Sequence, residues 1–150
     1  MTTSFTHLDD NGFWCPDALL EVFAHYLAAD IQECVHSAWA RRYVEHLNMQ
    51  AGAGLSGCID IGLSGLEPAN RREVAASAGG VVQRLVAEPQ LLAAPALNSL
   101  GLGDGSPFER DVQAESIQAL GRVLADLIEG TWDWGANADE ALPRHWLPRE

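Results

Sequence analysis

The stretch SPFERDVQAESIQALGRVLADLIEG, residues 106–130, decides how the chain is read. Ser106 followed by Glu109 has the spacing of a capping box, in which two side chains satisfy free backbone N–H groups at a helix start. Pro107 suits the first helical position, where its missing N–H would have no partner. Val112, Leu120, Val123, Leu124, Leu127 and Ile128 recur at helical spacing, and Gly130 supplies a stop. The expectation is one amphipathic helix from Ser106-Pro107 to Gly130.

Working outward, the same signals recur. Pro89 and Pro95 bracket a short helix around residues 91–100. Pro68 opens a longer one to about residue 88, with Val74, Ala78, Val81, Val82, Leu85 and Val86 on its core face. The Gly79-Gly80 pair within it marks a bend or a close helix contact. Near the N-terminus, Pro16 starts a helix carrying Leu19, Leu20, Phe23, Tyr26 and Leu27. Asp30 and Glu33 resemble a capping pair that begins another, striped by Val35, Ala38, Trp39, Tyr43 and Leu47 and fading by Gln50.

Residues 51–65 break the pattern. Gly52, Gly54, Gly57, Gly62 and Gly65 would each cost roughly 1 kcal/mol inside a helix relative to Ala. Cys58, Ile59, Ile61 and Leu63 fit a short strand with no evident partner, and the segment reads equally well as a buried loop or a short helix. Beyond Gly130, Trp132, Trp134 and Trp146 mark an irregular tail, residues 131–150, packed on the bundle. The expected fold is all-α: one domain over residues 1–150, about four to five helices, a Gly-rich loop and a Trp-containing C-terminal tail.

Charge is unevenly distributed. The formal net charge is −12, and every basic side chain is Arg. Residues 1–33 carry six acidic groups and no basic one, and residues 101–140 carry nine acidic groups against two arginines. Such a field repels nucleic acid and anionic lipid and attracts a basic partner. No run of apolar residues is long enough to span a membrane, and the first ten residues have neither the basic start nor the apolar core of a secretory signal. Cys15, Cys34 and Cys58 form no CxxC pair and read as buried free thiols in a reducing cytoplasm, with a disulfide or zinc site as the alternative.

Known catalytic patterns are largely excluded. Without lysine there is no GxxxxGK[ST] phosphate loop and no Schiff-base chemistry. Gly52-Ala-Gly54-Leu-Ser-Gly57 matches G-x-G-x-x-G only formally, since a helix rather than a strand precedes it. Five histidines and several serines are available as base and nucleophile, but none sits in G-x-S-x-G. Glu33-Cys-Val-His36 has the E-x-x-H spacing of di-iron bundles, with Glu21 and His25 as a partial second half. That constellation defines the rival reading, a helical metal-binding enzyme; the favoured reading has no catalytic residues, metal or cofactor.

The acidic blocks carry the favoured reading, set against the plainer one of a solvated face that keeps the protein soluble. Asp104, Glu109 and Asp111 gather at the start of the last helix, where carboxylates also suit the helix dipole. Asp126 and Glu129 sit at its other end, where negative charge is unfavourable. Trp132-Asp133-Trp134 interleaves rings with acid, and Trp is enriched among interface anchors. The partner-binding candidates are Asp104, Glu109, Asp111, Trp132, Asp133 and Trp134, with Asp60 and Glu67 of the Gly-rich region as an alternative surface.

Taken with its size, its acidic blocks and the order Gly12-Phe-Trp14, Trp39 and Gly57-Cys-Ile, the chain resembles the small helical immunity proteins that bacteria encode beside secreted antibacterial toxins. The resemblance implies a cytoplasmic protein that binds one cognate, basic, nucleic-acid-targeting toxin and occludes its site, with neither nucleic acid nor membrane as partner. It carries over no individual residue and implies no oligomeric state. A chaperone or adaptor for a secreted effector is a third reading, since such proteins are also small, acidic and helical.

Overall fold

A computed structural model describes residues 2–133. The chain opens with two antiparallel strands, β1 (Thr3–Leu8) and β2 (Asn11–Pro16), paired from Thr3 opposite Pro16 to Leu8 opposite Asn11. Five α-helices follow: α1 (Asp17–Cys34), α2 (Ala38–Gly52), α3 (Pro68–Ala87), α4 (Ala94–Asn98) and α5 (Ala114–Glu129). Short 3-10 turns occupy Leu63–Gly65 and Pro89–Leu92.

The hairpin corrects the all-α expectation: the fold is mixed, mostly helical with one two-stranded sheet. Its alternation runs against the usual sense. Ser4 and Thr6, both polar, point inward beside Phe13 and Cys15, whereas Phe5 and Trp14 pair on the outer face with ring centroids 5.2 Å apart. The turn uses Asp9-Asp10, with Asp9 at φ 53°, a left-handed conformation that Asp tolerates better than most residues.

α1 is the central element, burying Leu20, Phe23, Leu27 and Ile31 completely. α2 and α3 pack against it, and α5 lies against α3 and β2. The α3–α5 crossing is close because Gly121 faces Val82: a Cβ at Gly121 would stand 2.4 Å from Val82 Cγ2. α3 itself runs unbroken through Gly79-Gly80.

Three helix boundaries differ from the sequence reading. Pro16 closes β2 and is the residue before α1 rather than its first. The α1–α2 break falls at residues 35–37 rather than at Asp30, with Ser37 preceding α2. The Ser106–Glu109 capping box does not form, and α5 starts eight residues later. Of the two amides the box pairs, that of Ser106 donates to Asp104 Oδ1 at 2.9 Å, and the segment is held away from a helix by Phe108 N–H, which donates to Asn98 Oδ1 at 2.6 Å, and Val112 N–H, which donates to the Leu92 carbonyl at 2.9 Å. Residues 106–112 are therefore tied to the α4 region.

At its other end α5 stops at Gly130, which is left-handed at φ 81°, and the Asp126 carbonyl accepts from the Thr131 and Trp132 amides. That reversal lays Trp132 on the hairpin. Among the described residues no helix is long and apolar enough to cross a membrane.

Candidate functional site

The Gly-rich segment is a loop, and its conformation explains three of the buried polar side chains. Three of its amides are satisfied by side chains from outside the loop. Gly57 N–H donates to Asp17 Oδ2 at 2.8 Å, Ile59 N–H to Ser4 Oγ at 2.9 Å, and Asp60 N–H to Gln50 Oε1 at 2.8 Å. Ser4 in turn donates to Asp17 Oδ1 at 2.5 Å, and the Thr2 hydroxyl donates to Asp17 Oδ2. Ser4, Asp17 and Gln50 are buried because backbone amides without ladder partners need acceptors.

Two cavities flank this loop. The first, about 420 Å³, lies between the start of α1 and the Leu102–Phe108 turn. Asp17 and Glu21, one helical turn apart, line it together with Asp104, while Pro107 and Phe108 supply an apolar rim. Glu21 rests on the Gly103 backbone, where an added Cβ would meet its Oε2 at 2.3 Å. Burial, then the negative charges of Asp17 and Asp104, push the Glu21 carboxyl up to about 7. The Asp104 carboxyl is held below its usual value by hydrogen bonds from Ser106. The cleft thus unites three carboxylates and holds more negative charge than it can comfortably ionise at neutral pH.

The second cavity, about 570 Å³, lies between α2 and the start of α3. Trp39, Arg42, Tyr43 and His46 form one face of α2 at i, i+3, i+4 and i+7 spacing. Asp60, Leu66, Glu67 and Asn70 form the opposite wall. His46 Nε2 lies 2.7 Å from the Asp60 carbonyl, and Asp60 Oδ1 accepts from Gly62 N–H at 2.7 Å.

The sequence candidates are therefore divided. Asp104 joins the first cavity, and Asp60 and Glu67 join the second. Asp111 Oδ1 accepts the Ala94 N–H at 2.8 Å and so serves the start of α4. Glu109 is exposed and lines neither cavity. Trp132 is committed to the hairpin, donating from Nε1 to the Gly12 carbonyl at 2.7 Å and meeting Phe13 edge-on. Asp133 is exposed, and Trp134 lies outside the described residues.

The residues of the metal-binding alternative do not converge. Glu33 ends α1 on an exposed face, His36 falls in the break beyond it, and His25 packs edge-on to Tyr26. Among the described residues no three His, Cys, Asp or Glu side chains are arranged to hold a metal ion. The thiols also differ from expectation, since Cys15 is buried but Cys34 and Cys58 are exposed.

Sequence reasoning did not find Asp17 and Glu21 as partners of Asp104, nor the Trp39–Tyr43–His46 face. A carboxylate pair at i, i+4 on the first turn of α1 was the available signal for the former. No family model matches the chain, and no curated protein or solved structure matches it.

Proposed function

We propose that this protein is a non-catalytic, cytoplasmic antidote that binds and occludes a basic protein toxin, using the cleft of Asp17, Glu21 and Asp104 to seat an arginine or lysine of that partner. The observation that carries this reading is the cleft itself, in which Glu21, resting on the Gly103 backbone, is gathered with Asp17 and Asp104. The Glu21 carboxyl is held up near neutrality by burial and by two neighbouring carboxylates, so an incoming cation relieves repulsion already present in the free protein. Ionised Asp104 on the exposed lip and the net charge of −12 add long-range attraction, which raises association rate more than it deepens affinity. Pro107 and Phe108 offer apolar surface beside the charge, the mixture that binding hot spots use.

The test is affinity capture from the source cells with the wild-type chain and with Asp104→Arg, at low and high salt. The reading expects one stoichiometric basic protein, released by salt, not retained by Asp104→Arg, and harmful to cells when expressed without the antidote. Equal retention by both chains, or a captured protein harmless on its own, would overturn it.

A further inference from the structure

We propose that Ser64 is a reactive serine, with His7 as its base, which accepts the acyl group of a neutral carboxylic ester bearing an apolar or aromatic acyl chain. Ser64 is exposed in the 3-10 turn Leu63–Gly65. Two features fix that turn. Gly62 before it is left-handed at φ 75°, and Arg71 donates from Nε to the Leu63 carbonyl at 2.9 Å and from Nη2 to the Ser64 carbonyl at 3.5 Å. The turn sets Ser64 Oγ against the hairpin: the Asp9 N–H donates to Oγ at 3.1 Å, and His7 Nδ1 lies 3.5 Å from it. With an amide already donating to Oγ, the hydroxyl's own proton is left for His7 Nδ1, in the tautomer that carries its hydrogen on Nε2. The amide favours negative charge on Oγ and the imidazole accepts the proton, the two requirements of an activated hydroxyl. Such pairs are looser before a substrate binds. No atom lies within 4 Å of where a Cβ at Gly65 would stand, so the turn leaves open space beside Ser64.

The inverted hairpin selects the ester. Phe5 lies nearly parallel to His7, with an interplanar angle of 9° and centroids 6.4 Å apart, and Trp14, 38 % exposed, follows at 5.2 Å from Phe5. Gly12 makes room for this row, since a Cβ there would stand 2.8 Å from Phe5 Cζ. The outward aromatic strip therefore leads to the Ser64 hydroxyl and offers an apolar acyl chain a surface. A phosphoryl donor is anionic and would meet Asp9 and Asp10 at the hairpin turn within a chain of net charge −12. In the step, Ser64 Oγ bonds to the carbonyl carbon and the ester C–O bond breaks. The hydroxyl proton passes to His7 Nδ1 and then to the departing alkoxide, which leaves as the alcohol. The chain is the acceptor of one acyl group, and this site is separate from the cleft of Asp17, Glu21 and Asp104.

The experiment treats the full chain with 4-nitrophenyl butyrate, 4-nitrophenyl phenylacetate and, as the anionic comparison, acetyl phosphate. Nitrophenolate release is followed by absorbance, and the acylated residue is located by tandem mass spectrometry. The chain has no lysine, so the usual competing acylation of lysine amines does not arise. One equivalent of nitrophenolate should be released as the acyl group appears on Ser64, faster from the phenylacetate, while acetyl phosphate leaves Ser64 unmodified. Ser64→Ala should abolish that adduct, and His7→Gln should slow it about a hundredfold or more. Trp14→Ala should narrow the preference for the phenylacetate without abolishing acylation. Circular dichroism confirms that each variant keeps the wild-type fold, and Ser64→Cys, which retains a nucleophile, should carry the acyl group on its thiol. Ser64 still unmodified once the free ester has hydrolysed, or full rate in His7→Gln, would overturn the proposal. Release beyond one equivalent that depends on Ser64 would support the site and overturn instead the non-catalytic part of the proposed function.

Discussion

Asp17 Oδ2 accepts a hydrogen bond from the Gly57 amide at 2.8 Å, joining the first turn of α1 to the middle of the Gly-rich loop forty residues later. The same carboxylate holds Ser4 of β1, and Ser4 holds Ile59, so one buried acid ties hairpin, helix and loop together. Asp17→Ala removes the acceptor and leaves those donors buried without partners, a loss of about 1–3 kcal/mol for each group stranded. Urea denaturation should show a lower midpoint by more than any exposed acid-to-alanine change produces. Asp17→Asn keeps the shape but loses half the acceptor capacity, and its loss should be smaller.

Glu21 sets a pH dependence of opposite sign to the usual carboxylate. Its folded value of about 7 lies above the unfolded 4.5, so the folded chain holds the extra proton between those values. Stability from this group is therefore greatest below about pH 4.5, declines as pH rises through the window, and is lowest above about 7. Because the side chain is half exposed, solvent screening reduces the effect to about 1–2 kcal/mol. Glu21→Gln should raise stability by that amount at about pH 8 and leave it unchanged at about pH 4, as read from urea melts at both. Asp104→Asn should shift the window downward, since Asp104 is one of the charges that raises it. A wild-type slope unaltered by Glu21→Gln would show that Glu21 is not its origin.

Trp132 acts as a strap rather than a free anchor. Trp132→Ala loses the Nε1 bond to the Gly12 carbonyl and the edge contact with Phe13, at about 2–3 kcal/mol for a half-buried ring. Trp132→Phe keeps part of the packing and should cost about 1 kcal/mol through the lost donor alone. Amide exchange should accelerate across β1 and β2 in both variants before it does in α2.

What was legible in the sequence was what periodicity encodes. The core faces of α1, α3 and α5 repeat every three to four apolar residues, and their buried positions, such as Leu20, Phe23, Val74, Val81, Leu120 and Leu124, follow that spacing. The hairpin was not legible, because its inward residues Ser4 and Thr6 are polar and its outward ones include Phe5 and Trp14, which inverts the pattern that marks a half-buried strand. Ser4 is polar because it serves Ile59 and Asp17, a tertiary requirement that no local window contains. The capping box is displaced from outside the motif: Asp104 claims the Ser106 amide, and Asn98 holds the Phe108 amide in a non-helical segment. Of the residues that line the two cavities, Asp104, Asp60 and Glu67 stand out in the sequence by charge alone. Their neighbours Asp17, Glu21, Arg42 and Tyr43 join them only through folding.

The contact of Gly121 with Val82 gives a final, sign-changing prediction. Gly in a helix interior costs roughly 1 kcal/mol relative to Ala, so Gly121→Ala gains that much from backbone entropy alone. The new Cβ, however, would stand 2.4 Å from Val82 Cγ2, a distance no folded chain tolerates without a shift. Val is stiff about χ1 within a helix, so the methyl cannot swing away and α3 and α5 must separate instead. Overpacking of this kind costs about 1–3 kcal/mol, which outweighs the gain and makes the single variant less stable. In a Val82→Ala background the obstructing methyl is gone, and the same Gly121→Ala change should then stabilise by up to about 1 kcal/mol. A double-mutant cycle measured by urea denaturation reads the difference as a coupling energy. Coupling near zero would mean that the two helices are not held apart by this contact, and the close crossing assigned to Gly121 would have to be abandoned.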